Sequence, residues 1–214
     1  MTRNIRIIPA ILTDNPQTLK TMIRQSAAFT DYIQIDIMDG QFVPSHSITW
    51  RDLTGVSVET SWEAHLMVQK PEDQLKHFKE VGANKAIFHC EATLNPAQVI
   101  SGARELGLKV GIALNPETPV DRILSFTGEL DSVLFLSVHP GFYGAKFIPE
   151  VLDKIGELRQ ARPDLRIGID GGIKESNIAQ IAKSGVDEIC VGSAILLQPQ
   201  PAESYRKLLS IVQG

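Results

Sequence analysis

Apolar residues in this chain gather in short, nearly unbroken runs at 6–12, 32–38, 62–67, 86–89, 109–114, 133–138, 166–170 and 188–191. Continuous runs of this length predict parallel strands covered on both faces, whereas a half-exposed strand would alternate. Between the runs the polar pattern takes a helical period and then a glycine: Lys79-Glu80-Val81-Gly82-Ala83 before Ala86-Ile87-Phe88, Glu105-Leu106-Gly107 before Val110, and Lys183-Ser184-Gly185-Val186 before Ile189. A glycine there predicts a left-handed helix C-cap. Helix starts are marked too, by Asn15 before Pro16, Lys70 before Pro71 and Asn95 before Pro96, because proline suits the first helical turn.

Eight such strand–helix phrases predict an α/β fold, a (β/α)8 TIM barrel forming a single domain over residues 1–214. The competing architecture is an open, doubly wound sheet. Against it, the first strand reads Ile8-Pro9-Ala10-Ile11-Leu12, with no glycine-rich dinucleotide turn after it. A hydrophobic fraction of 43% over 214 residues supports a sizeable core. A net charge of -4 argues against nucleic acid or an acidic membrane as partner and favours a small polar ligand. The polar start and the interruption of the first apolar run by Pro9 predict neither a signal peptide nor a span, hence a cytoplasmic protein. Cys90 and Cys190 lack the spacing of a disulfide framework or a zinc site.

Barrel chemistry collects at the C-terminal ends of the strands. The polar residues there are Gln34, Asp36 and Asp39, then His65, His89, Glu91, Asn115, His139 and Asp170, with Gly192-Ser193 closing the eighth strand. Asp36 and Asp170 stand out, since a carboxylate at the mouth of a buried strand is costly without a partner or a task, and two in one pocket can give and take protons. A single strand-end carboxylate more often caps a neighbouring loop than does chemistry. His89 and Glu91 read equally as a hydrogen-bonded structural pair or as ligand contacts. Three glycine segments suit a phosphate: Asp170-Gly171-Gly172, Gly192-Ser193, and Gly141-Phe142-Tyr143-Gly144 after the sixth strand.

The ordered motifs Ile35-Asp36-Ile37-Met38-Asp39-Gly40, His65-Leu66-Met67, Asn115-Pro116-Glu117-Thr118-Pro119, Pro140-Gly141-Phe142, Asp170-Gly171-Gly172 and Gly192-Ser193 resemble the ribulose-phosphate 3-epimerase family. The resemblance implies a carbohydrate-metabolism enzyme of the pentose phosphate pathway that inverts C3 of a ketose phosphate, with Asp36 and Asp170 as acid and base. It further implies a divalent metal ion (Zn, Mg, Mn or Fe) on Asp36, His65 and Asp170, a homo-oligomer, and apolar contacts from Met38 and Met67. The phosphosugar would meet His65, Gly141, Phe142, Tyr143, Gly144, Asp170, Gly171, Gly172, Gly192 and Ser193.

The chain departs from that pattern at several wall positions. Gln34 stands where the family has a histidine ligand and Ala10 where it has a serine; His139, Tyr143 and Ala145 alter the loop after strand six. A glutamine carbonyl is a harder, weaker ligand than imidazole and would shift preference away from zinc. His139 reads either as a donor to the ligand or as a loop-stabilising residue. Two alternatives remain beside the epimerase: an isomerase of another ketose phosphate with an altered or absent metal, and a phosphosugar-binding barrel without turnover.

Overall fold

A computed structural model describes residues 4–141 and 145–213. Its eight strands are β1 (Arg6–Ile11), β2 (Tyr32–Met38), β3 (Ser61–Met67), β4 (Lys85–His89), β5 (Lys109–Leu114), β6 (Ser132–Leu136), β7 (Arg166–Asp170) and β8 (Glu188–Val191). Each pairs in parallel with the next, and β8 returns to β1, so the sheet closes into a barrel. The open-sheet alternative is thereby set aside. Around it lie α1 (Pro16–Ala27), α2 (Trp50–Leu53), α3 (Leu75–Glu80), α4 (Pro96–Glu105), α5 (Asp121–Leu124), α6 (Val151–Ala161), α7 (Glu175–Ala182), α8 (Ser193–Leu196) and α9 (Pro201–Gln213).

The punctuation read from sequence acts as expected. Asn15 accepts hydrogen bonds from the Gln17 and Thr18 backbone N–H groups at 2.9 Å each, starting α1 at Pro16. Pro71 opens a 3-10 turn instead of an α-helix, and α3 begins at Leu75. The sixth strand ends earlier than its apolar run, at Leu136, which pairs with Asp170, the last residue of β7; beyond it the Ser137 hydroxyl reaches the carbonyls of Asp170 and Gly171 at 2.9 and 2.7 Å.

Successive strand residues point to opposite faces, so each strand feeds two cores. Ile33, Ile35 and Ile37 of β2 join the large apolar layer beneath the helices. Inside the barrel, Ile8, Ala10, Ile87, Ala113, Leu134, Leu136 and Cys190 form a smaller plug. The intervening β2 residues Gln34, Asp36 and Met38 therefore face the interior, which places the polar site above that plug. Among the described residues, no helix is long and apolar enough to cross a membrane.

Candidate active site

Register brings the site together. Asp36 on β2 pairs with His65 on β3, and Asp170 on β7 pairs with Cys190 on β8. Gln34 lies one inward step below Asp36 and is completely buried. Its amide Nε2 donates to Asp36 Oδ1 at 2.9 Å and to Asp170 Oδ2 at 2.7 Å, while its Oε1 accepts from Cys190 Sγ at 3.2 Å. The His65 imidazole approaches the same carboxylates, with Nδ1 2.9 Å from Asp36 Oδ1 and 3.6 Å from Asp170 Oδ2.

Two carboxylates this close cannot both ionise cheaply. Burial and then the neighbouring Asp36 charge push the Asp170 carboxyl up to about 7, against the opposing pull of His65, Gln34 and the Gly171 backbone. Burial works against a charged His65, yet the hydrogen bond and charge of Asp36, with help from Asp170, hold its imidazole above the ordinary histidine value. Asp170 is thus a group poised to hold or release a proton near neutrality.

The chain braces both strand ends. Ser47 Oγ accepts from the Met38 N–H at 2.8 Å and donates to the Asp36 carbonyl at 2.8 Å. Ser137 does the equivalent for β7: besides its hydroxyl contacts, its N–H donates to the Asp170 carbonyl at 2.7 Å. Asp39 caps a loop instead of joining the site. Its carboxylate accepts from the N–H groups of Gln41, Phe42 and Gln69 at 2.8, 2.9 and 2.8 Å, and it does not join the pair.

A cavity of about 360 Å³ opens over Asp36, His65 and Asp170 and is walled by Met38 and Met67. Gly141, Gly171, Gly172, Gly192 and Ser193 lie on its edge. Gly171 and Gly172 have φ of +108° and +64°. A β-carbon on Gly171 would meet Val138 Cγ2 at 2.5 Å, and one on Gly172 would meet the Phe147 backbone nitrogen at 3.0 Å, so only glycine fits this turn. His139 stands apart: it is exposed on the rim, with Nδ1 3.0 Å from Glu117 Oε1, and does not line the cavity. Phe142, Tyr143 and Gly144 fall outside the described residues.

Sequence reasoning gathered Asp36, Asp170 and His65 but missed what Gln34 and Cys190 do. It also left His89 undirected, although its Nε2 lies 3.0 Å from His65 Nε2. The inward parity of Cys190 was a usable signal, being two residues after the inward Glu188. The direction of an amide carried none.

The one group of metal-capable side chains among the described residues is Asp36, His65 and Asp170, whose ligand atoms all lie within 4.8 Å of one another. Two carboxylate oxygens and an imidazole nitrogen fit a divalent cation. Gln34 does not present its oxygen to this group, so it would serve as a ligand only with its amide turned over.

Comparison with known proteins agrees with this geometry. The family model described as "Ribulose-phosphate 3 epimerase family" matches residues 6–196. The ribulose-phosphate 3-epimerase of Synechocystis sp. is 37% identical over 213 residues, covering 95% of this chain and 93% of its own length. That of Schizosaccharomyces pombe is 34% identical over 204 residues, covering 92% and 90%. Among solved structures, 3-hexulose-6-phosphate synthase from Salmonella typhimurium superposes with a TM-score of 0.75 at 16% identity, covering 98% of this chain and 99% of that one. KGPDC from Streptococcus mutans gives 0.76 at 14% identity, covering 99% and 98%, and both of these likenesses are of fold alone.

Proposed function

This chain belongs to the ribulose-phosphate 3-epimerase family, and from that premise we propose that it is an isomerase inverting C3 of a ketose phosphate, interconverting D-ribulose 5-phosphate and D-xylulose 5-phosphate or a close relative. The observation that carries this reading is the Asp36–Asp170 pair, bridged by one amide and holding a proton on Asp170 up to about 7. Inverting a carbon beside a carbonyl removes a proton from one face and returns one to the other, so it needs one ionised and one protonated group. Asp36 and Asp170 take those parts in one direction and exchange them in the other.

The remaining residues serve that exchange. Gln34 keeps the two carboxylates at a fixed spacing, and Met38 and Met67 line the cavity with apolar surface that excludes competing water. The turns at Gly171-Gly172 and Gly192-Ser193 suit the phosphate end, because glycine lets backbone N–H groups face an anion at close range. Gly141 lines the same cavity. Asp36, His65 and Asp170 would hold the divalent cation that the family resemblance implies. Such a cation supplies positive charge where the substrate oxygens become negative. Lone, buried Cys90 and Cys190 are in keeping with a reducing, cytoplasmic setting.

The test is an epimerase assay on D-ribulose 5-phosphate with protein stripped of metal and then reconstituted with Zn2+, Mg2+, Mn2+ or Fe2+, read beside elemental analysis. Turnover restored by one of these cations supports the assignment. Turnover only on another ketose phosphate would favour the second reading, to which Ala10 in the cavity wall lends support. Phosphosugar binding without any turnover would leave only the binding barrel.

A further inference from the structure

Behind His65 runs a buried line of polar atoms that the proton exchange does not use. His65 Nε2 and His89 Nε2 face each other at 3.0 Å. On the far side of the second ring, His89 Nδ1 lies 3.5 Å from Glu91 Oε2, and the Asn115 side chain also sits against His89. His89 Nδ1, Glu91 Oε2 and Asn115 Oδ1 are all buried without a close hydrogen-bond partner. The other Glu91 oxygen is anchored, accepting from the Asn115 N–H at 2.9 Å and from the Thr118 hydroxyl.

The proton positions along this line can be worked out from the far end. A carboxylate and an amide oxygen only accept, so the His89 nitrogen between them must carry the hydrogen. Burial alone would raise the Glu91 carboxyl, but the nearby His89 ring and the bonds from Thr118 and the Asn115 backbone hold it down at about 2, and it stays an acceptor. With hydrogen on Nδ1, neutral His89 has its lone pair on Nε2. Two nitrogens at 3.0 Å share one hydrogen, so His65 must supply it from its own Nε2. His65 Nδ1 lies 2.9 Å from Asp36 Oδ1 and gives that carboxylate a hydrogen when no cation is bound; a cation held by Asp36 and Asp170 would take that hydrogen's place, and the ring that keeps Nε2–H would then turn its Nδ1 lone pair to the cation.

We propose that His89 and Glu91 are positioning residues that fix His65 as its Nε2–H tautomer and so aim its Nδ1 lone pair at the cation site. This rests on the reading of Asp36, His65 and Asp170 as cation ligands. A ring nitrogen that binds a metal is commonly oriented by a carboxylate on its other nitrogen, and here the carboxylate acts through a second imidazole.

The direct test is the tautomer of each ring in 15N-labelled wild-type protein loaded with diamagnetic Mg2+, read from one-bond and two-bond nitrogen–proton correlations. The expected result is His89 as the Nδ1–H form, the less common one for a free imidazole, with hydrogen on His65 Nε2. His89 found as the Nε2–H form overturns the relay without any variant. The second arm is calorimetric Mn2+ binding by wild type and by Glu91→Gln. A loss of about 10–100-fold in affinity in the variant is expected. Equal affinity in the two overturns the relay while leaving the cation site in place. No Mn2+ binding by wild type overturns both the relay and the cation reading beneath it.

Discussion

Each end of the barrel buries a pair of carboxylates, and the two ends treat them oppositely. At the floor, one inward step below the site, Glu63 and Glu188 share Lys85, whose Nζ lies 2.9 Å from Glu63 Oε2 and 3.8 Å from Glu188 Oε2. Tyr32 donates to Glu63 at 3.0 Å and Arg166 to Glu188 at 3.0 Å. Burial works against the Lys85 ammonium, yet Glu63 and Glu188 outweigh it and raise its pKa, so this end carries a fixed cation. At the mouth, Asp36 and Asp170 have only the neutral Gln34 amide and the His65 imidazole between them. The floor is neutralised permanently and locked. The mouth is left able to change its proton or accept a cation, and that difference marks it as the functional end.

The comparison breaks most sharply at the mouth carboxylates themselves. Asp36→Asn and Asp170→Asn should each lower kcat/KM for epimerisation about 10²–10⁴-fold while the protein still melts cooperatively, since each removes an acid/base group and keeps the shape. Steady-state kinetics beside a thermal melt checks this. At the floor the expected pattern is reversed. Lys85→Met strands two buried carboxylates and should cost about 3–5 kcal/mol of stability by urea unfolding, while the folded fraction keeps its KM.

The pH dependence of stability separates the ends in another way. Asp170 ionises near 3.8 in an unfolded chain and at about 7 in the fold. Between those values the unfolded chain has given up a proton that the folded chain keeps, so stability of the metal-stripped protein should fall as pH rises through that window, by on the order of 1–3 kcal/mol. His65, also raised, adds a loss of the same sign as pH climbs past its unfolded value of 6.5. Urea unfolding across pH 4–8 measures this, and Asp170→Asn should flatten the lower part of the slope. Raised Lys85 does not titrate there. The smallest of these effects concerns the bridge: Gln34→His should tighten Zn2+ binding about 10–100-fold by calorimetry, because an imidazole replaces an amide whose nitrogen faces the wrong way.

Much of this barrel was legible from its apolar runs. All eight strands appear where continuous runs predicted them, because parallel strands sheathed by helices must be apolar on both faces. The Asp36 and Asp170 pair was legible for the same reason, as carboxylates ending such strands. The floor was less so, although Glu63 interrupts an apolar run, Lys85 and Glu188 stand at the head of theirs, and all three share inward parity with the site. The side-chain chemistry between the carboxylates was not legible. Parity says that Gln34 points inward, but the choice between its oxygen and its nitrogen is made by the two carboxylates that accept from the nitrogen, one of them on Asp170, 136 residues away. In the same way, His89 and Glu91 read as a local pair until β3 and β4 are placed side by side with His65 against His89.

Solvent exchange at the reacting carbon tests the central claim most directly. With cation-loaded protein and D-ribulose 5-phosphate in deuterium oxide, proton NMR should show the C3 proton signal disappear as D-xylulose 5-phosphate forms. The Asp36→Asn and Asp170→Asn variants should leave that signal intact over the same interval. A C3 signal that persists in the presence of wild-type protein under saturating cation, or one that exchanges equally fast in both variants, would contradict the account.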